Sequence, residues 1–166
     1  MYDPLIPVLS EERLRWWYII WIRKAFFRTL DSYCFTTKTK AMKIKKEDIP
    51  VMMQTPDTIM RNLPGYGGMT VAFNEIPAGT DLTPLLEGLK NNSCHCPHWG
   101  YIIQGVMRMI YDDGTEEVLT TGDVFYLPPG HTAIVEEDTK LIDFNPTKEF
   151  AEVMDHIAKK MAELSE

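Results

Sequence analysis

From residue 51 onward the apolar positions come in short runs broken by turn-forming residues, the pattern of an all-β sandwich or barrel. Segments 51–54, 57–62 and 69–73 read as strands, separated by Pro56 and by the glycine-rich turn 64–68. Residues 76–93, interrupted by Pro77, Gly79, Pro84 and Gly88, read as a rim or lid. A strand over 101–104 is broken by Gly105, and segments 106–111 and 116–120 flank Asp112-Asp113-Gly114-Thr115, a hairpin signal. Further strands are expected at 124–127, 133–136 and 141–144. The pattern then changes period: Phe150, Val153, Ile157, Met161 and Leu164 recur at helical spacing, with Asn145 as cap and Pro146 at the first helical position. This predicts an amphipathic C-terminal helix laid on the sheet, with His156 as a solvated side chain.

The leading segment differs again. Ser10 caps a predicted helix over 13–30 with Glu11 and Glu12 in its first turn. Its apolar block, Trp16 to Ile22, is too short to span a bilayer, and the acidic residues ahead of it do not suit a secretory signal. Two readings stand: a helix packed on the domain or a partner, which we favour, and one resting on a membrane surface. The polar, basic stretch 36–47 reads as a linker, and Met42 is a natural start. Residues 1–41 are therefore expected to be an N-terminal helical extension, and 42–166 the barrel with its C-terminal helix.

Composition narrows the partners. The 166 residues carry a net charge of −7, which supplies no basic face for nucleic acid. Three cysteines form no disulfide framework, and alternate strand positions put Cys94 and Cys96 at the edge of disulfide geometry. A reducing, cytoplasmic setting fits best.

Chemistry concentrates in Cys94-His95-Cys96-Pro97-His98-Trp99-Gly100-Tyr101. In a regular strand Cys94, Cys96 and His98 share one face while His95, Trp99 and Tyr101 turn away. Thiolate and imidazole together suit zinc. Taken singly, each is more often a buried small hydrophobe or a satisfied histidine; the clustering of two cysteines with His95, His98 and His131 favours a metal site. Pro97 implies an edge or bulge that disturbs the face-sharing of His98. Asp123, Glu116, Glu117, Glu136 and Glu137 read as turn formers or solvated charges.

These segments resemble the two-part signature of the cupin superfamily. Gly88 is followed after five residues by Cys94-x-Cys96, and His98 after six by Gly105, with Tyr101-Ile102-Ile103-Gln104-Gly105 as the familiar ending. The second motif is met by Gly122, Pro128 and Gly130, although its histidine position holds Ala133. The resemblance implies a mainly β protein, a single cupin-type β-barrel or jelly roll with helices at each end. It puts Cys94 and Cys96 in place of two histidines and His98 in place of a glutamate. His131, two residues before Ala133, offers itself as fourth ligand. Cupins with histidines and a glutamate carry Fe2+ or Mn2+; the thiols here move the expectation to zinc.

Three functions follow. One is a metal-dependent enzyme acting on a small polar molecule in the barrel. The second is a non-enzymatic binding or sensing module with a structural zinc, and the third an interaction protein docking through the 16–22 block. A closed four-ligand site is structural, an open one chemical. Homodimerisation is expected through sheet edges.

Overall fold

The computed structural model describes residues 43–164, and residues 44–166 form one compact unit. The helix predicted over 13–30 and the boundary at residue 41 lie outside the described residues. Seven strands make one antiparallel sheet: β1 (Val51–Gln54), β2 (Ile59–Tyr66), β3 (Met69–Ile76), β4 (His98–Tyr111), β5 (Glu116–Thr120), β6 (Val124–Leu127) and β7 (His131–Pro146). The order is β1-β2-β3-β7-β4-β5, with β6 paired to β4. A one-turn helix, α1 (Thr83–Leu86), sits in the expected rim, and α2 (Thr147–Leu164) closes the described chain. No helix among the described residues is long and apolar enough to cross a membrane.

Two pairs of expected strands are each one long strand. Segments 101–104 and 106–111 merge into β4, which carries register shifts around Gln104 and Val106 instead of a break. Gly105 adopts φ +95, and a Cβ there would collide with the Asp138 carbonyl and lie 2.6 Å from Thr139 Oγ1, so only glycine lets the strand bend against β7 without displacing it. Segments 133–136 and 141–144 likewise merge into β7, which pairs with β3 on one side and β4 on the other. Asn145 and Pro146 belong to β7, so Asn145 is no helix cap. The hairpin at Asp113 forms as expected: its carboxylate accepts from the Thr115 N–H at 2.9 Å.

Alternation along these strands places Ile76, Ile102, Met107, Met109, Leu119, Phe125, Leu127, Ala133, Val135 and Leu141 in one apolar cluster that fills the curled sheet. A second cluster joins Ala72, Leu86, Cys94 and Cys96 to Phe150, Val153 and Met154 of α2, with Met60 and Ile157 against it. Thus α2 lies on the inner face as its periodicity predicted.

Candidate metal centre

Residues 94–97 are not regular strand; β4 begins only at His98. What places Cys94 is an isolated bridge to the start of β7. Its N–H donates to the His131 carbonyl at 2.8 Å, and its carbonyl accepts from the Gly130 N–H at 2.7 Å. His98 and His131 are each the first residue of a long strand, and their rings meet edge to face with centroids 5.0 Å apart. Cys94 Sγ lies 3.4 Å from His98 Nε2. The ligating atoms of Cys94, His98 and His131 all fall within 4.8 Å of one another, a group able to hold a metal ion.

Both rings are oriented from behind. His131 Nδ1 lies 2.6 Å from the Pro128 carbonyl, which can only accept, so Nδ1 carries the proton and the lone pair is on Nε2. His98 Nδ1 donates to Asn145 Oδ1, and Asn145 Nδ2 donates in turn to Asp143 Oδ1 at 3.1 Å. The Pro128-Pro129-Gly130 turn and the alternating inner positions of β7 therefore fix both tautomers.

Burial leaves the metal-free cluster neutral. It pushes the Cys94 thiol up to about 11 and Cys96 up to about 12, with the charge of Asp143 adding to both. It lowers His98, and it lowers His131 to about 4 with help from the charge of His98. The Asp143 carboxyl is raised to about 7 by burial, against the Asn145 hydrogen bond. With neutral imidazoles already presenting lone pairs, a cation needs only to displace a thiol proton. The N/S donor set fits a zinc-type ion.

Of the four residues named from sequence, three come together. Cys96 lies outside the group: it is fully buried in the cluster under α2, with Sγ 3.5 Å from the Pro97 carbonyl. His95 faces away as expected, with Nε2 3.8 Å from a carboxylate oxygen of Glu152. His156 donates to the Glu87 carbonyl at 2.9 Å. Ala133 is packed in the barrel core, and His131, two residues earlier, is buried on the same face. Asp143 and Asn145 were missed from sequence, although they alternate with Leu141 on the inner face of β7 and so occupy positions where an apolar residue is expected. An open groove of about 490 Å3, lined by Tyr111, Asp112, Tyr126 and Gly130 among others, is touched by none of the triad and is a separate feature.

No family model and no curated protein matches this chain. Solved structures do. An RmlC-like cupin from Shewanella frigidimarina NCIMB 400 is 19% identical over 66% of this chain and 95% of its own, with a TM-score of 0.49. The chain is similar to cupins. A cupin superfamily protein from Desulfitobacterium hafniense DCB-2 is 13% identical over 58% of this chain and 83% of its own, with a TM-score of 0.44. An ectoine synthase from P. lautus is 20% identical over 62% and 74%, with a TM-score of 0.45.

Proposed function

We propose that this chain is a small zinc cupin that acts on a small polar molecule inside the barrel. The observation that carries the reading is the triad of Cys94, His98 and His131, whose two imidazoles are both held in the tautomer that aims Nε2 at the thiol. Three protein donors leave one tetrahedral position for water or substrate, the arrangement of chemical rather than structural zinc sites. Zinc bound there supplies Lewis acidity and an acidified water, suited to hydrolase or lyase chemistry. The protein's own contribution is to exclude solvent with α2, fix both imidazoles, and hold a carboxyl poised near neutrality at Asp143, one amide away from His98.

A second reading has a specific observation behind it. Cys96 is buried beside the triad, and if its thiol joins as fourth donor the site is closed and zinc merely clips the barrel of a binding or sensing module. Fe2+ or Mn2+ is the alternative metal. Elemental analysis of protein purified without added metal tests both. About one zinc per chain is expected, lost in Cys94→Ser and His131→Ala and unchanged in His95→Ala. Loss in Cys96→Ser supports the closed site, iron in place of zinc supports redox chemistry, and no metal removes the proposal.

Cys94 and Cys96, both free thiols among the described residues, suit a reducing compartment, and we assign the protein to the cytoplasm. We also propose a homodimer. The outer face of β4, β6 and β7 carries Trp99, Tyr101, Val124, Tyr126 and Phe144, 42–83% exposed, in two adjoining registers with no charge between them. An apolar face of this kind favours a second copy. Sedimentation at high concentration is expected to give a dimer that Tyr126→Glu dissociates; a wild-type monomer refutes it.

A further inference from the structure

The inner face of a curled sheet is ordinarily apolar throughout, yet here a polar seam divides the two apolar clusters. Ala72 is fully buried and stands in register with Asn62 on β2 and with Asp143 on β7, while Asn74 is its next neighbour along the same face of β3. Asn62, Asn74 and Asp143 are 8%, 6% and 7% exposed. The Oδ1 atoms of both asparagines are enclosed and have no hydrogen-bond partner. The amide nitrogen of Asn62 is turned toward Met52 Sδ, which leaves its oxygen as the unused group. Buried acceptors are almost always paired, because leaving one bare forfeits its hydration without return. Two bare carbonyls, with a carboxyl that accepts from Asn145 on one oxygen, stand around one small residue and are short of donors.

We propose that Asn62, Asn74 and Asp143 form a subsite for a primary ammonium group, and that the ligand is a short ω-amino carboxylate. An ammonium offers three donors in a compact head, matching the three acceptors. Asp143 is joined through Asn145 to His98, and a step of two residues along a strand covers about 6–7 Å. A short ω-amino carboxylate would lie along this inner face with its ammonium in the seam and its carboxylate toward the triad, where it would take the open ligand position. The carboxylate end rests on the metal reading given above; the ammonium end does not.

Calorimetry on the full chain loaded with zinc separates the two ends. Binding of 4-aminobutanoate is expected to be at least tenfold tighter than that of butanoate or 4-hydroxybutanoate. Asn62→Leu and Asn74→Leu should each cut that preference below threefold while the zinc content stays unchanged. Because each substitution removes a bare buried acceptor, neither should lower the melting temperature, so lost preference is not lost folding. Butylammonium added to metal-free protein should shift the side-chain amide resonances of Asn62 and Asn74, an arm that stands even if zinc fails to bind. Equal affinities for 4-aminobutanoate and butanoate, or a preference that survives both leucine variants, overturn the proposal. So does equal binding of 4-hydroxybutanoate, which would make the subsite one for hydroxyl groups. Silence of both amides toward butylammonium overturns it as well.

Discussion

The number of protons released when zinc binds counts the thiols that ligate it, and the structure sets what the count must be. Burial holds the Cys94 thiol near 11, so at pH 7 ionising it without a metal lies about 4 pKa units uphill, about 5 kcal/mol. The thiol is therefore protonated in the metal-free protein and must surrender its proton to bind. The imidazoles give up nothing, since burial lowers both and His131 is held near 4. Asp143, near 7, would add a fraction of a proton at neutral pH as the cation favours its ionised form. The measurement belongs at about pH 6.5 in the Asp143→Asn variant, where that carboxyl is gone, a zinc-bound water acidified toward about 7 keeps most of its protons, and Cys94 and Cys96 are not ionised in the metal-free protein. Titration of zinc in two buffers of different ionisation enthalpy should then show one proton released per metal, with affinity rising about tenfold per pH unit. Two protons would mean that Cys96, whose thiol lies near 12, has left its cluster and closed the site. No proton would mean that neither thiol is a ligand, and the reading of the triad would fall.

Other consequences are as direct. Asn145→Leu leaves His98 Nδ1 without its acceptor and should weaken zinc binding by about 10–100-fold, seen in a competition titration against a chelator. In metal-free protein, His131 is near 4 folded and about 6.5 unfolded, so the stability from keeping it neutral is present above the unfolded value and is lost as pH falls through the folded one. That loss reaches about 3 kcal/mol at pH 4, and Asp143, raised to about 7, works in the opposite direction as it takes up a proton in the folded state. Urea unfolding at pH 7 and pH 4 should accordingly show about 3 kcal/mol less acid destabilisation in His131→Leu than in wild type; an unchanged difference would show His131 to be solvated. Gly105→Ala should destabilise by about 2 kcal/mol or more in the same assay, because it imposes both a positive φ and a Cβ collision with the Asp138 carbonyl; a loss under about 0.5 kcal/mol would mean that the bend is not strained.

The fold was legible because most of its signals are local. Alternating apolar positions, the Asp113 hairpin and the helical recurrence from Phe150 each depend on neighbours in sequence, and each appears where it was expected. What failed was local reasoning carried across a bend. Gly105 looked like the end of a strand, but a positive-φ glycine can also be the point at which a strand turns while its ladder continues with β7. The same limit governs the site. His98 and His131 were readable as candidate ligands because each opens a strand on a predictable face, and the glycine-proline frames fix where those strands begin. Cys94 and Cys96 are equivalent by spacing, yet the segment holding them is not regular strand. A backbone bridge to His131 selects Cys94, and packing under Phe150 and Val153 takes Cys96.

Asp143 and Asn145 escaped notice for a different reason. A polar residue at an inner strand position reads from sequence as an interruption of the core, and only the register of β7 against β4 and β3 turns it into a partner. Register sets Asn145 beside His98 and Asp143 beside Ala72, so one strand connects a ring of the candidate metal group to the seam of unpartnered amide oxygens. Every second residue from Leu141 to Asn145 thus has its own inward role, in which Leu141 fills the core, Asp143 joins the seam, and Asn145 holds the His98 ring. Substitution should separate these roles. Leu141→Ala acts on stability alone, by about 2–5 kcal/mol, while Asp143→Asn keeps the shape but removes a charge that burial already disfavours. A variant at 143 that folds and binds zinc normally, yet no longer distinguishes 4-aminobutanoate from butanoate, would locate the function of that position in ligand choice.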